Sequence, residues 1–370
     1  MKVLIAPDKF KGSLTAIEAI DCITRGIQEA IRGIKVIGHP LADGGEGSLE
    51  IISQFIVTKK IKVTVHDPLM RKIRAYYLLD HCRAYIELSK ASGLQLLLPT
   101  EYDCLGTTTL GTGELILDAL RKGANEIFLF AGGSATSDMG MGIAYALGYK
   151  FLDIKGNLVS PTGSGLRKVN HILAPETDYQ PIKFHLVCDV QNPLLGENGT
   201  AQQYAPQKGA FPREVNELEY GMTHFSNLIA TQLGKGISQI PGSGVAGGVG
   251  GGMAAFFDAL IIKGISFIMN LTHFKSKVKQ ADIVISGEGQ IDGQTSQGKV
   301  IAGVAKMCRV FDKPLYLICG RLVNEHSIKS IGARKILTLT DKQITNKLAM
   351  MNARSILKQK AFGLAKEILR

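Results

Sequence analysis

The stretch Glu126–Gly142, EIFLFAGGSATSDMGMG, decides how the rest of the chain is read. Ile127 to Ala131 are apolar or aromatic and predict a buried strand. They run into Gly132-Gly133-Ser134-Ala135-Thr136, and Ile143 to Leu147 then predicts a helix. A strand, a glycine turn and a helix N-terminus aim free backbone N–H groups at an anion. These five small residues are therefore read as a phosphate-binding nest. Asp138 stands one turn into the next element, where a carboxylate meets a metal on a phosphate. The competing account of the same residues is a tight turn followed by an acid that the helix dipole favours.

Two further glycine-rich stretches bear on that choice: Asp282–Lys299, DIVISGEGQIDGQTSQGK, and Pro241–Gly252, PGSGVAGGVGGG. Gly293-xxxx-Gly298-Lys299 has P-loop spacing, but Val300 occupies the position of the magnesium-binding Ser or Thr. Gly242-x-Gly244-x-x-Gly247 has the spacing of a dinucleotide fingerprint, but Pro241 precedes it and no strand leads in. A Walker ATPase and a Rossmann dehydrogenase are both excluded on context.

On either side of these loops the grammar is β-α-β-α. Val3–Ala6 predicts a strand, Thr15-Ala16-Ile17-Glu18 a capping box opening a helix to about Ile31, and Lys35–Leu41 a second strand. Strand 282–286, a helix near 299–309, strands 314–319 and 335–339, and a long helix from about 344 repeat the pattern. Alternating β and α implies a parallel sheet covered by helices. The expected fold class is α/β with two domains. Both chain ends, 1–61 and 276–370, build one doubly wound domain, and 62–275 forms an inserted mixed α/β domain. The insert begins with three short strands, 62–67, 75–80 and 85–88, read as a meander. Helices near 112–122, 214–233 and 253–263 and a strand at 184–188 follow.

Composition narrows the class. The 370 residues are 45% hydrophobic and 20% charged, which is ordinary for a globular chain. No apolar run reaches membrane-spanning length, since Asp258 and Lys263 interrupt Met253–Leu271. The six Cys are scattered, with no C-x-x-C pair, and read as reduced core residues of a cytoplasmic protein. The net charge of +11 is dispersed in short clusters without aromatic interleaving, so neither a nucleic-acid nor a membrane partner is expected. The oligomeric state is left open.

In open α/β sheets, ligands bind outside the carboxyl ends of the strands. The first strand ends in Asp8-Lys9-Phe10-Lys11-Gly12-Ser13, where two lysines and a carboxylate suit an anionic substrate. The second ends in Asp43-Gly44-Gly45-Glu46-Gly47, and strand 184–188 ends in Asp189. Strand 282–286 ends in Gly287-Glu288-Gly289-Gln290-Ile291-Asp292. Each loop taken singly also reads as a solvated turn or helix cap. None of the eight His lies in such a loop, which disfavours hydrolases. It favours a reaction run by Asp, Lys, backbone N–H and a divalent metal, of which phosphoryl transfer is one.

The chain resembles the bacterial type I glycerate kinases. The segments that carry the likeness are APDKFKGSLTAIEA (6–19), PLADGGEGS (40–48), GTGELILDAL (111–120), GGSATSDMG (132–140), VCDVQNPLLG (187–196), PQKGA (206–210), PGSGVAGG (241–248) and SGEGQIDGQTSQGK (286–299). The resemblance implies phosphorylation of D-glycerate with ATP and Mg2+, giving 2-phosphoglycerate, on a two-domain α/β fold with one flavodoxin-like domain. The family more often has Asn at the position of Ser137 and Tyr at that of Leu110, and an acidic or small residue where this chain has Gln191.

On this reading the nest Gly132, Gly133, Ser134, Ala135 and Thr136 holds ATP phosphates. Asp8, Lys9 and Ser13 bind substrate, and Lys11 joins Lys9 on the substrate carboxylate or the transferring phosphoryl group. Asp189 is the expected base on the substrate hydroxyl, with Asp43 as the other candidate. Asp138, Glu288 and Asp292 compete for the metal. The alternatives are a kinase of another small hydroxy acid and a non-catalytic nucleotide or anion sensor.

Overall fold

The computed structural model describes residues 1–291, 300–323, 331–341 and 344–368. The chain divides into two compact units. One comprises Met1–Asp43, Glu50–Phe55 and Lys263–Arg370, and the other Gly44–Leu49 and Ile56–Ile262. The changes of unit thus fall at 43/44, 49/50, 55/56 and 262/263, where the sequence reading has 61/62 and 275/276. The helices Gly264–Leu271 and Phe274–Gln280 belong with the chain ends.

The unit built from the chain ends is centred on a five-stranded sheet. Its spatial order is Lys335–Thr338, Leu315–Cys319, Ile283–Ser286, Lys2–Ile5, Lys35–Gly38. Every neighbouring pair is parallel. Numbered along the chain, that order is the flavodoxin-like 2-1-3-4-5, with its reversal between Lys2–Ile5 and Ile283–Ser286. The local causes are those in the sequence. Thr15 Oγ1 accepts from Glu18 N, and Glu18 Oε2 accepts from Thr15 N, so the capping box opens the helix Ala16–Ala30. That helix buries Ile23 and Ile27 against Leu357 and Leu364 of the helix Ala353–Ile368. Each fully buried Ile or Leu contributes about 2 kcal/mol.

The second unit carries a six-stranded mixed sheet, in the order Leu260–Ile262, Lys183–Val187, Glu126–Phe130, Arg83–Glu87, Lys72–Asp80, Lys59–His66. The expected meander forms, with two antiparallel pairings. Its third strand then pairs parallel with Glu126–Phe130, which pairs parallel with Lys183–Val187. One sheet is therefore antiparallel at one end and parallel at the other.

The helix expected near 253–263 lies instead within Val245–Phe257, a span kinked by left-handed Ala246, Gly247 and Gly248. Asp258 turns left-handed, with φ 51°, and ends it. Leu260–Ile262 then extends beside His185–Val187 as an edge strand. All six cysteines are free, and Cys22, Cys104, Cys308 and Cys319 are buried. Among the described residues, no helix is long and apolar enough to cross a membrane.

Candidate active site

In the first unit, the loops leaving the carboxyl ends of adjacent strands meet. Asp8 N–H donates to Gly287 O at 2.9 Å, tying the loop after Lys2–Ile5 to the loop after Ile283–Ser286. Ser286 Oγ reinforces the link by donating to Ala6 O at 2.6 Å. Asp8, Lys9, Lys11, Ser13, Asp43 and Glu288 all line one cavity of about 410 Å³. Asp8 and Glu288 are buried and Asp43 half-buried. Burial pushes the Asp8 carboxyl well above the usual carboxylate range, and the charges of Asp43 and, less, Glu288 push the same way. Lys9, through its N–H bond of 2.6 Å and its charge, pulls the other way. Six of the residues read from sequence as functional are thus brought together by one sheet edge. Asp292 lies outside the described residues.

In the second unit, the loops after Arg83–Glu87, Glu126–Phe130 and Lys183–Val187 leave one carboxyl edge side by side, because Glu87 pairs with Phe130 and Phe130 with Val187. Asp189 stands there, half-buried. The 132–136 segment, the expected nest, follows Glu126–Phe130 on this edge. The following helix is only Met141–Ala146, so no helix N-terminus abuts the glycines. The approach that Gly132 and Gly133 permit is that of the protein's own chain. A Cβ on Gly132 would lie 2.5 Å from Gly45 Cα, and one on Gly133 2.3 Å from Glu46 Oε1. One of the segment's N–H groups is also committed, that of Ala135 to Ser92 O.

Asp138 likewise serves the protein itself. It is fully buried and accepts from Thr109 N at 2.7 Å, Thr109 Oγ1 at 2.8 Å, Gly142 N at 3.1 Å and Gly140 N at 3.2 Å. Burial raises its pKa, and these donors oppose the rise. A carboxylate with so many backbone and hydroxyl donors fixes a loop. Asp138 therefore joins the segment 108–110 to the segment 138–142.

Sequence reasoning missed Lys208. Its side chain is 1% exposed, and Nζ donates to Thr136 O at 2.6 Å and Ser134 Oγ at 2.9 Å. Burial pulls the ammonium down to about 8, against the charges of Asp138 and Cys104. Thr136 Oγ1, Ser137 Oγ and Ser243 Oγ are buried beside this backbone or the glycine run that packs on it. Among the described residues they have no hydrogen-bond partner. Buried hydroxyls ordinarily find partners, so this cluster is a candidate ligand contact. The one signal in the sequence was the segment PQKGA, in which a lysine sits between two turn residues.

Among the described residues, no three His, Cys, Asp or Glu side chains converge as a metal centre. Mg2+ asks less of a protein: one or two carboxylates, with phosphate oxygens and water completing the shell. Asp8, Asp43 and Glu288 on one cavity wall fit that demand.

The model of the glycerate kinase family matches residues 3–369. The chain belongs to that family. It is 39% identical to a glycerate kinase of Halalkalibacterium halodurans over 98% of this chain and 97% of the relative. It is 37% identical to the glycerate 2-kinase of Escherichia coli K12 over 90% of each. A crystal structure described as a "putative glycerate kinase 2" from Salmonella typhimurium LT2 superposes with a TM-score of 0.83 at 35% identity. It covers 100% of this chain and 98% of its own. Family membership makes the chain a kinase, and the acid and lysine loops that line the first unit's cavity lie within the matched span.

Proposed function

We propose that this chain phosphorylates D-glycerate at the 2-hydroxyl, with ATP as donor and Mg2+ as the divalent ion. The observation that carries the reading is the set of buried and half-buried carboxyl groups, Asp8, Asp43 and Glu288, sharing a cavity with Lys9 and Lys11 inside a chain that matches glycerate kinases end to end. Phosphoryl transfer needs positioning and charge neutralisation more than covalent chemistry, and such a set supplies both signs of charge. The name of the Escherichia coli relative, glycerate 2-kinase, supports the choice of the 2-hydroxyl.

Asp8, Asp43 and Glu288 are the residues proposed to hold Mg2+, which when bound offsets the charge of the transferring group. Lys9 and Lys11 carry the compensating positive charge toward phosphoryl and carboxylate oxygens. Asp189 takes the hydroxyl proton of the acid, and Asp43 is the other candidate for that step. Asp138 and Lys208 hold the 134–142 backbone in shape.

Phosphorus NMR of the products from ATP, Mg2+ and D-glycerate tests this directly. A phosphate on the 2-position couples to one proton and gives a doublet. One on the 3-position gives a triplet and would reassign the hydroxyl. Turnover of another hydroxy acid but not of glycerate would reassign the substrate, and ligand binding without ADP release would leave a sensor.

A further inference from the structure

The cavity of the first unit is larger and more apolar than a three-carbon acid requires. Its volume of about 410 Å³ falls in the range of roughly 300–1,000 Å³ that encloses drug-sized ligands. It opens at the carboxyl ends of Lys2–Ile5, Ile283–Ser286 and Leu315–Cys319, through Asp8–Lys11, Glu288–Gln290 and Gly320–Arg321. That position includes the point where the strand order reverses, at which open α/β sheets seat nucleotides. Its chemistry is two-sided. Lys9, Lys11 and Arg321 supply cations, while Met350 supplies exposed apolar surface backed by the buried Phe10, Leu339, Ala349 and Ala353. A small hydroxy acid has no face to lay on that surface. A nucleotide matches both sides, with a flat apolar base and a phosphate chain that arrives with its own cation.

We propose that this cavity is the nucleotide subsite. The purine lies against Met350, and the phosphates lie toward Lys9, Lys11 and Arg321. The proposal rests on the kinase reading above and moves the phosphates from the 132–136 segment, where Gly45 and the Glu46 carboxylate stand against the two glycines, to the flavodoxin-like unit. Asn346 and Gln290 add amides to the lining, and Gln290 Oε1 is already oriented by Arg321 Nε at 3.0 Å.

The test is calorimetric titration of the intact protein with ADP and Mg2+, on wild type, Met350→Ala and Arg321→Ala. Met350 is 41% exposed and Arg321 is exposed, so both variants keep the core, which circular dichroism checks. Each should weaken ADP about three- to tenfold, as expected for a lost apolar or charge contact of this size, with KM for D-glycerate within twofold of wild type. ADP affinity unchanged in both variants overturns the proposal. A raised KM for glycerate with unchanged ADP affinity gives the cavity to the acid, and absence of ADP binding to wild type also overturns it. Failure of the kinase reading looks different: wild type would bind ADP through these residues yet transfer no phosphoryl group to glycerate.

Discussion

The Lys208 ammonium donates a 2.6 Å hydrogen bond to the main-chain carbonyl of Thr136. A buried cation thereby fixes the backbone of the turn at 132–136 in the second unit, reaching it from a segment 72 positions later in sequence. Its second bond, to Ser134 Oγ, holds the same turn from its side chain.

Lys208→Met should separate this anchoring from packing. The isosteric side chain removes the desolvation cost of the ammonium, which offsets part of the lost hydrogen bonding, so melting should shift by only a few degrees. Turnover should fall about 10²-fold, because the loop loses its register. The pH signature is specific. The folded-state pKa of about 8 lies below the ordinary 10.5. Between those values the unfolded chain keeps the proton that the native protein has released, so stability rises with pH. Urea unfolding should show wild type gaining up to about 3 kcal/mol relative to Lys208→Met across that window. Parallel pH profiles would remove Lys208 as the buried cation.

Gly133→Ala tests what the glycine turn is for. Gly133 has φ 75°, and a Cβ there meets the Glu46 carboxylate. The left-handed conformation alone costs a non-glycine residue about 1–2 kcal/mol. The expected result is a lower melting temperature with ADP affinity retained in the fraction that folds. Loss of ADP affinity at unchanged stability would restore the phosphate nest at this turn.

His39 gives the first unit an acid-sensitive point. Its Nε2 lies 2.9 Å from Thr272 Oγ1, and that hydroxyl already donates to Ile268 O, so His39 Nε2–H is the donor. Phe55 and Phe274 flank the ring with centroids at 4.7 and 5.1 Å. Burial, with a smaller push from Lys277, lowers its pKa from 6.5 to about 4. Between those values the unfolded chain binds a proton that the native chain refuses. Stability is therefore full above pH 6.5 and declines as pH falls toward 4, by up to about 3 kcal/mol. His39→Phe should flatten that part of the stability profile in denaturant titrations at successive pH values. An unchanged slope would assign the acid sensitivity to carboxyl groups instead.

These expectations divide by the range of the interactions behind them. The capping box at Thr15 and Glu18, the strand Ile283–Ser286 and the acid loops at strand ends are local patterns, and the sequence displays them directly. The five-stranded order then follows from parallel, right-handed connection. Lys208 reaching Thr136 and Gly132 meeting Gly45 are contacts between distant segments, and no short pattern encodes them. The apolar wall offered by Ala349, Met350 and Ala353 reads in sequence as the inner face of an ordinary amphipathic helix. The run Met253–Leu271 is apolar enough to suit either helix or strand, and only the left-handed turn at Asp258 and the open edge at His185–Val187 decide it.

Asp189 carries the sharpest test of the proposed chemistry. It follows the strand Lys183–Val187, whose register with Glu126–Phe130 sets it at the carboxyl edge of the parallel half of the sheet. Asp189→Asn keeps the shape and most hydrogen-bonding capacity but removes basicity. A base that takes the hydroxyl proton during transfer should cost about 10²- to 10⁴-fold in turnover when lost. KM for ATP and the melting temperature should stay near wild type. Turnover within a few-fold of wild type would move the role to Asp43, where Asp43→Asn should then show the loss. A fall in stability with turnover preserved in the folded fraction would make Asp189 a brace for its loop, as Asp138 is for the segment after Glu126–Phe130.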